Sequence, residues 1–135
     1  LANYALEKGL QVGVYINQTS HDTARSMSVP PGRHADQLTR ILEVMAQAHA
    51  GESIALDQLV IEQSRVLPWD TTIVVVAAIP DEATLSTISR LRRAGRDAVL
   101  IHIGGERTAS VEAGGNRLTV AETMDWESLE RIVLE

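Results

Sequence analysis

The residues best suited to chemistry stand just after the apolar segments that are predicted as strands. Asp81 follows the run that ends at Ile79 and precedes a segment with helical periodicity. A carboxylate here can cap the helix, or it can serve as a ligand in an oxygen-coordinated Mg²⁺ site. A cap needs no companion side chains, whereas a hard cation needs several further oxygens. Asp81 is therefore predicted as an N-cap in preference to a metal ligand, and it is the one candidate metal residue.

Two other predicted strand ends carry small or polar residues, namely Asn17 to Thr19 and Gly104 to Glu106. Glu106 is a second carboxylate, but the glycine doublet before it is a weak phosphate cradle. No Gly-x-Gly-x-x-Gly follows a strand, and neither a P-loop nor a Gly-x-Ser-x-Gly elbow occurs. We therefore predict no catalytic residue, no cofactor-binding residue and no enzymatic activity.

The four histidines share no spacing that is typical of metal ligands. His102 lies inside a predicted strand, where a core or strand-edge role is favoured over a ligand role. His34 stands at a helix start, and His49 near a helix C-terminus can interact with the helix dipole. His21 lies in a polar loop and is expected to be solvated.

Composition limits the classes of partner. The chain of 135 residues has a formal net charge of −6, which gives no electrostatic basis for gripping nucleic-acid phosphates. Its longest apolar run, Ile73 to Ile79, is far below the roughly 20 residues that span a bilayer, so no membrane insertion is expected in this segment. The absence of cysteine fits a reducing compartment, and a cytoplasmic location is expected.

Hydrophobic periodicity predicts helices and strands in alternation. The most regular helix covers His34 to His49, with Leu38, Ile41, Leu42 and Met45 facing the core. The segment Thr72 to Ile79 has no polar alternation, which is typical of a parallel strand covered on both faces and predicts the centre of a sheet. Before the most regular helix, the sequence predicts a helix ending at Gly9, a strand over Leu10 to Ile16, and a loop or loose β excursion around Met27 and Val29.

Two further helices have predicted buried faces: a short helix capped by Ser53 buries Leu56, Leu59 and Val60, and a helix from Asp81 to Gly95 turns Leu85, Ile88 and Leu91 inward. The chain then continues with a strand over Asp97 to Ile103, a glycine-rich loop from Gly104 to Gly115, a short strand over Arg117 to Val120, and a helix capped by Asp125.

This alternation predicts β-α-β units with right-handed crossovers, hence a three-layer, Rossmann-like α/β fold with a mostly parallel sheet. We expect residues 1–135 to form a single domain.

Three stretches carry a resemblance to a known family. ANYALEKGLQVGVYIN, PPGRHADQLTRILEVMAQ and the succession LPWDTTIVVVAAIPD with LRRAGRDAVLIHIG resemble the C-terminal part of domain-of-unknown-function family 58. Those proteins carry a von Willebrand factor A-like domain, so the resemblance implies that fold. The family's first strand and its Asp-x-Ser-x-Ser motif are missing, and Leu1 matches the helix after them. The chain is thus expected to be a C-terminal fragment of such a domain, with an incomplete sheet.

The resemblance also implies a function. The family's later metal-binding aspartate matches Asp81, but its threonine position falls near His34, where no hydroxyl residue stands. Mg²⁺ is therefore expected only in the full-length parent. That parent is expected to be a bacterial protein, often membrane-tethered through its N-terminal part, which works with MoxR-type AAA+ ATPases in protein assembly or maturation. A non-enzymatic adaptor is thus expected, and a small-molecule or nucleotide-binding α/β enzyme domain is the alternative.

The missing strand leads to one further prediction. In the family, the first strand lies between the strand that matches Gln11 to Ile16 and the strand that matches Thr72 to Ile79. Unpaired buried backbone groups are costly, and apolar edges template pairing with other chains. We therefore predict that these two strands pair directly and that the chain self-associates as a homodimer.

Overall fold

The computed structural model describes residues 1–19, 26–49, 53–103 and 118–120. It is a mixed α/β structure with two small sheets, one of which is parallel. The chain divides into two compact units, Leu1–Leu59 and Val60–Glu135, and the boundary falls within a helix. Each unit is described by itself. The predicted loop from Gly104 to Gly115, the helix after Asp125, and the side chains of His21 and Glu106 lie outside the described residues.

The first unit is built on an antiparallel pair of strands. Helix α1 (Ala2–Glu7) leads into β1 (Val12–Thr19), which pairs with β2 (Ser26–Gly32). Helix α2 (Gln37–Gln47) follows and contacts both strands. The β excursion predicted around Met27 and Val29 is confirmed, with these residues opposite Ile16 and Val14. The expectation that β1 belongs to a parallel sheet is wrong, because its partner among the described residues is the antiparallel β2.

Glycine at position 13 allows the two strands to approach each other. A Cβ there would lie 2.7 Å from the backbone N of Pro31 and 2.8 Å from the carbonyl O of Val29. Backbone atoms cannot give way at such distances, so only glycine fits opposite this part of β2. Pro30 and Pro31 lie in β2. In the described two-stranded sheet β2 is an edge strand, where a missing N–H is tolerated.

The second unit contains a parallel sheet. Helix α3 (Leu56–Val66) crosses the unit boundary and is followed by β3 (Ile73–Ala77), α4 (Glu82–Arg93), β4 (Ala98–Ile103) and β5 (Leu118–Val120). The strand order is β3-β4-β5, and both pairings are parallel. The predicted β-α-β unit with α4 as the crossover helix is confirmed, and so is the short last strand. A single three-layer sheet is not observed in the described residues.

Two expectations about β3 are wrong. It was predicted at the sheet centre, but β4 is the middle strand and β3 lies at an edge of the described sheet. It was predicted to be covered on both faces, but Val76 is 51% exposed while its neighbour Val75 is buried. The predicted direct pairing of β1 with β3 would join strands of different units and stays a prediction; within the units, β1 pairs with β2 and β3 pairs with β4.

Helix ends follow the local signals closely. Gly9 and Gly95 have φ angles of 76° and 88°, the left-handed conformation predicted for helix C-caps. Asp81 caps α4 as predicted. Ser53 does not open α3 as expected. Ser53 lies three residues before Leu56, the first residue of the helix, and it forms an isolated antiparallel bridge with Gln18.

The core matches the predicted helix faces only in part. Ile41 of α2, Leu59 and Val60 of α3, and Ile88 of α4 are buried as expected. Two buried threonines of α4, Thr84 and Thr87, were not foreseen. The expectation that Leu42 and Met45 face the core is wrong, because they are 56% and 53% exposed.

Candidate functional site

Asp81 is engaged at the start of α4. Its Oδ1 accepts a hydrogen bond from the backbone N–H of Thr84 at 2.8 Å. Hydrogen bonds from the Thr84 side chain and backbone hold the pKa of Asp81 below its ordinary value. The carboxylate is exposed, and the described residues contain no group of three or more histidine or acidic side chains that could hold a metal ion. The capping role predicted for Asp81 is confirmed, and its role as a metal ligand stays a prediction.

The polar residues at the end of β1 hold together two segments of the first unit. The backbone carbonyl O of Asn17 accepts a hydrogen bond from the backbone N–H of Ile54 at 2.7 Å. The side-chain Nδ2 of Asn17 donates to the backbone carbonyl O of Ile54 at 3.2 Å. The buried amide of Gln18 donates to the carbonyl O of His49 at 2.5 Å and accepts from its N–H at 3.0 Å. The side-chain amide of Gln18 therefore bonds to His49 as a backbone peptide would. These groups are satisfied within the protein.

The predicted strand-end residues are divided between the two units and the part of the chain outside the described residues. Asn17 and Gln18 belong to the first unit, whereas Asp81 belongs to the second. Gly104, Gly105 and Glu106 lie outside the described residues.

The described histidines are distributed rather than grouped. His34 is exposed before α2, and His102 is half-buried in β4 with Ala77 as its β3 register partner. The ring Nδ1 of His49 lies 3.1 Å from the carbonyl O of Gln47, and the ring is exposed. His49 thus interacts with a carbonyl at the C-terminal end of α2, as its position predicted.

A buried arginine in the second unit was not singled out from the sequence. Arg96 is only 3% exposed, and its guanidinium donates to three backbone carbonyls. Nη1 reaches the carbonyl O of Ser64 at 2.7 Å, and Nη2 reaches those of Leu67 and Pro68 at 3.0 and 2.6 Å. These carbonyls end α3 and begin the loop after it, so the arginine satisfies groups that a helix terminus leaves free.

The same guanidinium lies 4.9 Å from the centre of the Trp69 ring, within the range of a cation–π interaction. Its Nε is buried and has no hydrogen-bond partner among the residues that the structure describes. The signal in the sequence was an arginine directly after the Gly95 C-cap, together with Pro68 stopping the preceding helix. Neither pattern predicts that Arg96 contacts the C-terminal end of α3, because the two lie far apart along the chain.

Large apolar side chains remain on the surface of both units. In the first unit, Leu42 and Met45 are exposed one turn apart on α2. Helix α1 contacts α2, and the apolar residues Leu1, Tyr4 and Leu10 in or beside α1 are also exposed. In the second unit, Val76 of β3 and Ile79 beyond it are exposed. Among the described residues, the exposed large apolar side chains are Leu1, Tyr4, Leu10, Leu42, Met45, Val66, Trp69, Val76 and Ile79.

Comparison with protein-family models, with curated proteins and with solved structures finds no match to this chain. In the described part of the chain, no helix combines the length and the apolar character needed to cross a bilayer.

Proposed function

We propose that this chain is a protein-interaction domain that acts as a non-enzymatic adaptor. The observation that supports the proposal is the apolar surface of α2. Leu42 and Met45 belong to the regular apolar periodicity of the helix, yet more than half of each side chain is exposed. Contiguous exposed apolar patches mark protein-interaction sites, and methionine adapts readily to a partner surface.

The fold is consistent with this role. A crossover helix between two parallel strands and a third parallel strand beside them support a Rossmann-like arrangement in the second unit. This arrangement and the resemblance to domain-of-unknown-function family 58 are the grounds on which we propose a von Willebrand factor A-like domain. The partner that the resemblance implies is a MoxR-type AAA+ ATPase, and the setting we propose is the cytoplasm of a bacterium.

The direct test is binding of the 135-residue chain to a purified MoxR-type ATPase from the same genome, measured by biolayer interferometry. We expect the double variant Leu42→Lys with Met45→Lys to bind at least about tenfold more weakly, because two charges would enter an apolar contact. Val66→Lys is the matched control, since Val66 is an exposed valine at the end of α3. Equal binding by all three proteins would contradict the assignment of this surface.

The rival function is a small-molecule or nucleotide-binding enzyme domain. It is favoured by the parallel β3-α4-β4 unit, because ligands of such folds bind at the carboxyl ends of the strands. A thermal-shift screen with ATP, ADP, FMN and NAD tests it, since a ligand that binds only the native state raises its stability in proportion to affinity. A saturable shift with any of these would support the rival against the adaptor.

A further inference from the structure

We draw no further inference here: the strongest candidate, the exposed ring of Trp69 that lies over the buried guanidinium of Arg96 in the loop after α3, is an apolar surface for which nothing in the described part of the chain shows what covers it.

Discussion

Arg96 carries its charge into the second unit without a carboxylate partner among the described residues. Three backbone carbonyls and the face of Trp69 surround the guanidinium instead. The carbonyl of Ser64 belongs to the last turn of α3, where the helix dipole is negative and favours a cation. A planar group with several donors suits this arrangement better than the single ammonium of lysine.

Removing this side chain should strongly destabilise the fold. We expect Arg96→Ala to lower the free energy of unfolding by about 3 kcal/mol, because buried carbonyls would lose their charged donor. Arg93→Ala is the control: Arg93 is an exposed arginine of α4, and its loss should change stability by less than about 0.5 kcal/mol. Urea unfolding followed by circular dichroism measures both. Similar losses for the two variants would show that Arg96 is not a structural anchor.

Asp81 should make stability depend on pH in acid. Its folded pKa lies below the ordinary value of 3.8, so the ionised cap stabilises the fold above the pKa of the unfolded chain. That contribution is lost as pH falls through the lower folded pKa. The melting temperature of Asp81→Ala should therefore be lower than that of the unmodified chain at pH 7, and the difference should narrow as pH falls below 3.8. Asp81→Asn keeps a capping oxygen and should remove the pH-dependent part alone. A difference between the unmodified chain and Asp81→Ala that does not vary with pH would contradict this.

The same residue should not hold a divalent cation tightly in this chain. One carboxylate cannot replace several waters of Mg²⁺, and its Oδ1 already accepts from Thr84. Calorimetric titration with MgCl₂ or MnCl₂ should show no tight site. A micromolar one-site isotherm that disappears in Asp81→Ala would refute the prediction.

Helix α2 is attached to the β1-β2 pair by a buried amide. Gln37 is 1% exposed, and its Nε2 donates to the carbonyl O of Val12 at 2.7 Å and of Pro30 at 2.9 Å. One side chain at the start of the helix thus bonds to both strands. A Cβ on Gly32 would lie 2.9 Å from the Gln37 Oε1, so glycine there leaves room for the amide.

Replacing this amide should loosen the attachment of the helix to the strands. We expect Gln37→Met to lower the free energy of unfolding by about 2 kcal/mol, since two carbonyls would lose their donors. Gln47→Met is the matched control because Gln47 is an exposed glutamine at the end of the same helix. Its effect should stay within about 0.5 kcal/mol. Chemical denaturation tests the pair, and a mild effect of Gln37→Met would show that water replaces the amide at low cost.

At the scale of the molecule, the two units have different architectures. The first is an antiparallel strand pair with helices, and the second is a parallel sheet with a crossover helix. Exposed apolar residues occur in both. The polar side chains at the end of β1 and at the start of α4 are hydrogen-bonded within the protein. The exposed apolar residues are the observation on which the adaptor proposal rests.

The adaptor proposal requires the chain to be catalytically inactive. We expect no turnover on a panel of phosphatase, esterase and nucleotidase substrates, because no nucleophile with an oriented base can be assembled from the predicted strand-end residues. Activity that is lost in Asp81→Ala or His102→Ala would contradict the prediction and favour the enzyme alternative. A contaminating hydrolase is recognised by activity that both variants retain.

The sequence by itself determined those features that depend on neighbours within a few residues. Apolar periodicity located α2 and α4, the two glycines with positive φ ended helices as predicted, and Asp81 capped α4. The β-α-β unit also followed from local order, because parallel strands need a crossover connection, which is usually a helix. These signals act over one or two turns of chain and need no distant partner.

Tertiary structure decided which strands pair, which faces are covered and which polar groups are buried. The same β-branched run that predicted a central strand forms β3 at an edge of the described sheet, because strand position depends on partners distant along the chain. Leu42 and Met45 fit a core periodicity yet remain exposed, since periodicity defines a helix face but not what lies against it. Arg96 and Gln37 resemble ordinary surface residues in the sequence. Each became a buried anchor only because the carbonyls that it satisfies were brought to it by the fold.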